Sequence, residues 1–122
     1  MSVRLFVYGT LAPGDGAWPV LAPWTRGDPV ADRVAGRLYD TGRGYPAATF
    51  ERGGGVVHGC VVELDPARSA AALAALDRYE GPDYARITVR TRSGAEAFAY
   101  AWTAPLAGFR PLAGGRWAGR EA

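Results

Sequence analysis

With 122 residues, 48% of them hydrophobic and 21% charged, the chain is long enough to bury one core and too apolar to be a disordered segment. Its net charge is +2, and its fourteen basic residues are all arginines scattered from Arg4 to Arg120 with acids between them; nucleic-acid binding would need a patch or stripe instead. A lone cysteine, Cys60, excludes an internal disulfide, and one histidine beside it cannot complete a standard zinc site.

No apolar run reaches the length of a membrane span, and Met1 leads straight into a strand-like segment. No membrane partner and no targeting peptide are therefore expected, and the cytoplasm is the expected compartment. Val3 to Tyr8 is a β-branched and aromatic run ended by Gly9, apolar on both faces, which predicts a central strand. Gly9 to Gly16 is a loop of residues that permit unusual backbone angles. Between Ala17 and Trp24, Pro19 and Pro23 limit any helix to a turn.

Val30 to Asp40 reads as a second strand, with Val34, Gly36 and Leu38 on one face and Arg33, Arg37 and Tyr39 on the other. Tyr45 to Phe50 is a short strand made irregular by Pro46. The glycines at 53–55 lack the Gly-Lys-Ser/Thr and the following helix of a phosphate loop, so they read as a turn. Val56 to Leu64 is a further strand. Asp65 as cap and Pro66 at the first helical position predict a helix that runs to about Tyr79 and is stopped by Gly81-Pro82. Tyr84 to Arg92 and Ala95 to Thr103 form a hairpin about Ser93-Gly94, and the residues from 104 to 122 form a Gly- and Pro-rich tail with Phe109, Leu112 and Trp117 as anchors.

Six strands and one main helix predict an α+β fold, a single domain over 1–122 whose sheet curls into a small, mixed and partly closed barrel. The mouth of such a sheet is a usual place for a small-ligand pocket. Two stretches there bear on chemistry. In the first, Leu73, Leu76 and Glu80 share a helical stripe, so a carboxylate closes an apolar face. Desolvation and the negative end of the helix dipole both raise its pKa towards the range of a general base. By pattern alone the commoner outcome is a glutamate at a frayed helix end, pointing into water. In the second, Tyr8-Gly9-Thr10-Leu11 offers main-chain N–H groups in a Gly-flexed turn, suited to a carboxylate or an oxyanion. Taken alone, such a tetrapeptide is usually just a strand ending in a turn.

Together these blocks are joined by Gly36-Arg37-Leu38-Tyr39-Asp40, Gly42, Gly44-Tyr45-Pro46-Ala47, Val57-His58-Gly59, Leu76 to Gly81 and Tyr84-Ala85-Arg86. In that order and spacing the chain resembles the γ-glutamylcyclotransferase-like family, in particular its γ-glutamylamine cyclotransferase and AIG2-like branch, over nearly its whole length. The resemblance implies a small-molecule γ-glutamyl substrate and an intramolecular reaction. The substrate's α-amine attacks its own γ-carbonyl and releases 5-oxoproline and an amine or amino acid, without metal or cofactor. It further implies Glu80 as the general base and Tyr8, Gly9, Thr10 and Leu11 as the hold on the γ-glutamyl group. Tyr84 and Arg86 share a strand face and are candidate pocket residues beside them; Tyr45 and Tyr100 are weaker ones. Cys60 stands where many relatives carry a glutamate and is expected to pack as a small hydrophobe. His58 is expected to be structural or surface-facing rather than a base. The loop after Leu11 lacks the basic and Asn/His residues common in relatives, which leaves the leaving group open. The alternative is a non-catalytic small-molecule-binding domain that retains the γ-glutamyl pocket.

Overall fold

The strand β1 (Arg4–Val7) lies at the centre of a five-stranded sheet in the computed structural model, which describes residues 2–117. On one side it pairs antiparallel with β5 (Val56–Leu64), and β5 pairs with the edge strand β2 (Thr25–Ala35). On the other side it pairs parallel with β7 (Glu96–Trp102), with Leu5 opposite Phe98, and β7 pairs with β6 (Tyr84–Arg90). A second sheet of three short strands has β3 (Arg37–Asp40) between β4 (Pro46–Thr49) and β8 (Arg110–Pro111). Strand β4 packs on β7, so the small sheet folds over the large one and closes the barrel only in part.

Period-two alternation between two cores explains why β1 is apolar after the exposed Arg4. Leu5 and Val7 enter one core with Val62, Leu64, Leu21 and Leu76. Phe6 and Tyr8 enter a second with Val34, Leu38, Ala48 and Val57. The first core lies under the helices α1 (Trp18–Leu21) and α2 (Ser69–Glu80), and the second lies between the two sheets. Cys60 packs against the first core, where burial pushes its thiol up, as expected of a small hydrophobe. His58 lies on β5 and its N–H donates to the Gly115 carbonyl at 2.8 Å.

Three boundaries differ from the sequence expectation. The second strand begins at Thr25 rather than Val30, because Gly27, Asp28 and Pro29 are absorbed in a bulge between Arg26 and Val30 on a sheet edge, where a missing N–H costs little. It then divides at Gly36 into β2 and β3, where the chain passes from one sheet to the other. The main helix begins at Ser69, not at Pro66. Asp65 instead caps its own turn, accepting Ala67 N–H at its carboxylate and Arg68 N–H at its carbonyl, both at 3.0 Å. Arg68 has no side-chain cap and an extended φ of −128°, and its guanidinium donates to the Pro23 carbonyl and lies over the Trp24 ring.

The tail anchors behave as expected. Phe109 meets Trp102 edge-on at 5.3 Å, and Leu112 and Trp117 pack on the second core. The expected tail beyond Trp117 lies outside the described residues. Among the described residues, no helix is long and apolar enough to cross a membrane.

Candidate active site

The loop that follows β1 turns sharply. Gly9 and Thr10 carbonyls accept the N–H groups of Ala12 and Ala17 at 3.0 and 2.8 Å. The N–H groups of Thr10 and Leu11 have no acceptor among the described residues and remain available to a bound anion. Gly9 is required by proximity: a Cβ there would lie 2.7 Å from the Pro46 ring, so no larger residue lets the loop approach β4 this closely.

The helix α2 supplies the second element. Leu76 is fully buried, Leu73 packs against the same core, and Glu80 follows on the stripe as the last helical residue. Gly81 then ends the helix at φ 81° and ψ −172°, with its N–H donating to the Asp77 carbonyl at 3.2 Å. This backbone region is open to glycine and almost nothing else. It turns the chain so that Glu80 stays on the core side instead of fraying into solvent. The Glu80 carboxyl is half-buried, and loss of water around it pushes its pKa up to about 7.

Loop and helix end meet at a cavity of about 640 Å³. Tyr8, Gly9, Thr10 and Leu11 line one part of it, and Glu80, Tyr84 and Tyr100 another. The walls are held by tyrosine hydroxyls that donate to the chain itself: Tyr8 to the Tyr100 carbonyl at 2.5 Å, Tyr84 to the Pro46 carbonyl at 2.6 Å, and Tyr100 to the Asp77 carboxylate at 2.7 Å. Burial, with the Glu80 charge adding to it, pushes the Tyr8 and Tyr84 hydroxyls well above their usual range, so both stay protonated and keep donating. Tyr84 also packs edge-on against Trp102 at 5.2 Å.

Of the residues singled out from the sequence, the structure brings Glu80, Tyr8, Gly9, Thr10, Leu11 and Tyr84 to this one cavity, together with the weaker candidates Tyr45 and Tyr100. It does not bring Arg86. That guanidinium grips the Asp77 carboxylate with Nε at 3.1 Å and Nη2 at 3.3 Å, over the Phe98 ring, and borders a smaller side cavity with Asp77, Tyr84 and Tyr100. A two-pronged pair with a carboxylate is a stronger partner than an open pocket wall. Strand parity put Tyr84 and Arg86 on one face, but parity is blind to the acid waiting on α2. Asp83, Val20 and Tyr79 line the cavity without having been singled out. Asp83 sits three residues past Glu80, which was the available signal; Val20 depended on where α1 docks, which no local pattern encodes.

A family model described as gamma-glutamyl cyclotransferase, AIG2-like, matches residues 5–119. The chain belongs to that family. Within it, cyclotransferase-type chemistry on a small molecule is the general activity. The chain is similar to ytfP from Escherichia coli, solved in solution, at 32% identity, covering 98% of this chain and 100% of that one with a TM-score of 0.57. It shares its fold with protein PH0828 from Pyrococcus horikoshii at 24% identity, covering 94% and 89% of the two chains with a TM-score of 0.72. It also shares it with an aig2-like protein from mouse at 21% identity, covering 85% and 80% with a TM-score of 0.69. No curated protein sequence matched. Cys60 packs against the first core and does not line the cavity.

Proposed function

We propose that this cyclotransferase-family chain converts a γ-glutamyl amide into 5-oxoproline and a free amine, with Glu80 as the base. The observation that carries the reading is the half-buried Glu80 carboxyl, pushed up to about 7, on the lining of the same cavity as Thr10 and Leu11, whose main-chain N–H groups have no acceptor among the described residues. The substrate's α-ammonium gives a proton to the Glu80 carboxylate, and the freed amine attacks the γ-carbonyl carbon. A C–N bond forms and the carbonyl electron pair moves onto oxygen, where the N–H groups of Thr10 and Leu11 stabilise the charge. The carbonyl then re-forms, the original C–N bond breaks as the departing nitrogen takes that proton from Glu80, and the carboxylate passes the second proton of the ring nitrogen to the released amine. Over the cycle two protons pass from the attacking to the leaving nitrogen, so no water is consumed and the enzyme ends as it began.

Such a reaction asks little of the protein beyond folding the substrate so that its ends meet, because nucleophile and electrophile are already tethered. A proton carrier near neutral pH and a fixed oxyanion site supply the rest. A domain that only bound ligands would gain nothing from a desolvated carboxylate.

The test is mass-spectrometric detection of 5-oxoproline from a panel of γ-glutamyl amines and γ-glutamyl dipeptides, with Glu80→Gln alongside. Release by the parent protein and at least about a hundredfold less by the variant is the expected result. Substantial turnover by Glu80→Gln removes Glu80 as the base. Binding of γ-glutamyl compounds with no product from any of them supports a binding domain instead.

A further inference from the structure

Among the described residues the Glu80 carboxyl makes no hydrogen bond and no ion pair. Its place on the cavity wall therefore comes from the backbone that carries it, the last turn of α2. Leu76 is the last fully buried side chain of that helix, and Asp77, Arg78 and Tyr79 after it are exposed. Arg78 and Tyr79 make no side-chain hydrogen bond among the described residues. Asp77 makes three. Its Oδ1 accepts the Tyr100 hydroxyl of β7 at 2.7 Å and Nε of Arg86 on β6 at 3.1 Å, and its Oδ2 accepts Nη2 of Arg86 at 3.3 Å. Its carbonyl accepts the Gly81 N–H that closes the helix. One residue thus ties the turn that bears Glu80 to two strands and shuts its end.

The Arg86 guanidinium lies over the Phe98 ring, 4.8 Å from its centre, which fixes the plane from which its two N–H groups reach Asp77. Tyr100 also works in the other direction, since its carbonyl accepts the Tyr8 hydroxyl one residue before Gly9. Arg86, Asp77, Tyr100 and Tyr8 form one line of bonds from the helix end to the start of the loop that holds Thr10 and Leu11. An ion pair that keeps contact with solvent contributes little to stability. Its consequence lies in what it aligns.

We propose that Arg86 and Asp77 are positioning residues, which hold the last turn of α2 against β6 and β7 and thereby hold the Glu80 carboxyl at its place on the cavity wall. The catalytic meaning of that alignment rests on the cyclotransferase reading above; the alignment itself does not.

Charge and position act with opposite signs here. Glu80 is faced by the hydroxyls of Tyr8 on β1, Tyr84 on β6 and Tyr100 on β7, with Tyr45, Tyr79 and Asp83 also on the lining. Arg86→Met removes a cation and leaves the Asp77 charge unbalanced, and by charge alone both raise a neighbouring carboxyl's pKa. A loosened last turn lets water reach Glu80, which lowers it.

The test titrates Glu80 by carbon NMR of its side-chain carboxyl in ligand-free parent, Arg86→Met and Arg86→Lys, with kcat and KM for 5-oxoproline release from a γ-glutamyl amine measured alongside. In Arg86→Met the Glu80 midpoint should move down by about one pH unit or more. Its kcat should fall roughly 10- to 100-fold while KM stays within about threefold. Arg86→Lys, which keeps the cation without the two-pronged grip, should lie between parent and Arg86→Met. Tyr100→Phe removes the other tie without changing any charge, and its midpoint should move the same way. A midpoint unchanged or raised in Arg86→Met overturns the inference, and where that variant does not fold, the same result in Tyr100→Phe does so. A loss confined to KM overturns it as well and leaves the cyclotransferase reading standing. No 5-oxoproline from the parent protein removes that reading, while the midpoints still decide whether Arg86 and Asp77 place Glu80.

Discussion

Glu80 carries two opposing consequences, one for catalysis and one for stability. As a base it must be ionised, so the acid limb of kcat/KM should fall near pH 7, where the free protein's Glu80 titrates, and not near 4.5. A pH–rate profile with its limb at the ordinary carboxylate value would show that another group is limiting. For folding, the unfolded chain ionises this glutamate near 4.5 and the folded chain near 7. Between those values the folded state binds the extra proton, so stability declines as pH rises through that window and stays low above it. The shift corresponds to roughly 3 kcal/mol at most, less at an open cavity mouth where solvent screens the charge. Glu80→Gln should therefore raise the urea midpoint at about pH 8 and change it little at about pH 4. Equal midpoint shifts at both values would mean that the carboxylate is not desolvated. An active-site substitution that removes turnover and strengthens the fold would mark the position as one held against the interests of stability.

At the scale of elements, the site depends on how one helix stops and how one strand ends. Ala at position 81 would meet no steric obstruction, yet φ 81° with ψ −172° is strained for any residue with a Cβ. Gly81→Ala should cost about 1–3 kcal/mol in urea unfolding and lower kcat more than it raises KM, because the last turn would shift Glu80. A loss confined to KM would place the effect on substrate binding instead. Helix α2 was legible because its stripe of Leu73, Leu76 and Glu80 is local, and so was its stop at Gly81-Pro82. Its start was not legible. Asp65-Pro66 has every mark of a helix beginning, but Arg68 is drawn away to Pro23 and Trp24 by contacts more than forty residues distant in sequence. The same holds for Arg86, whose direction is decided by Asp77 on another element. Parity within a strand can name a face, but it cannot name the partner on that face.

Across the whole molecule, β1 is shared by two cores that lie on opposite sides of one sheet. Neither core can be lost without exposing residues of the strand that serves the other. Unfolding followed by tryptophan fluorescence and by far-ultraviolet circular dichroism should therefore coincide in a single transition. Two separated transitions would mean that the small sheet melts by itself. Phe6→Ala, on the side facing the second core, should destabilise by about 3–5 kcal/mol and still leave one transition. The sequence pattern made the two-sided burial of β1 visible and with it an α+β barrel. It could not reveal that β1 and β7 run parallel, since nothing local distinguishes a parallel neighbour from an antiparallel one. That pairing sets the order of assembly. Tyr8 and Tyr100, bonded across the cavity wall, are 92 residues apart in the chain. The pocket has no precursor in any early segment, and it comes into being only when the last long strand docks beside the first. Closing so wide a loop is slow, and a chain emerging from the ribosome would leave the β7-facing edge of β1 unpaired until then. Folding of this protein should be late, concerted and sensitive to aggregation in the interval, with binding competence appearing in the same kinetic phase as the central sheet.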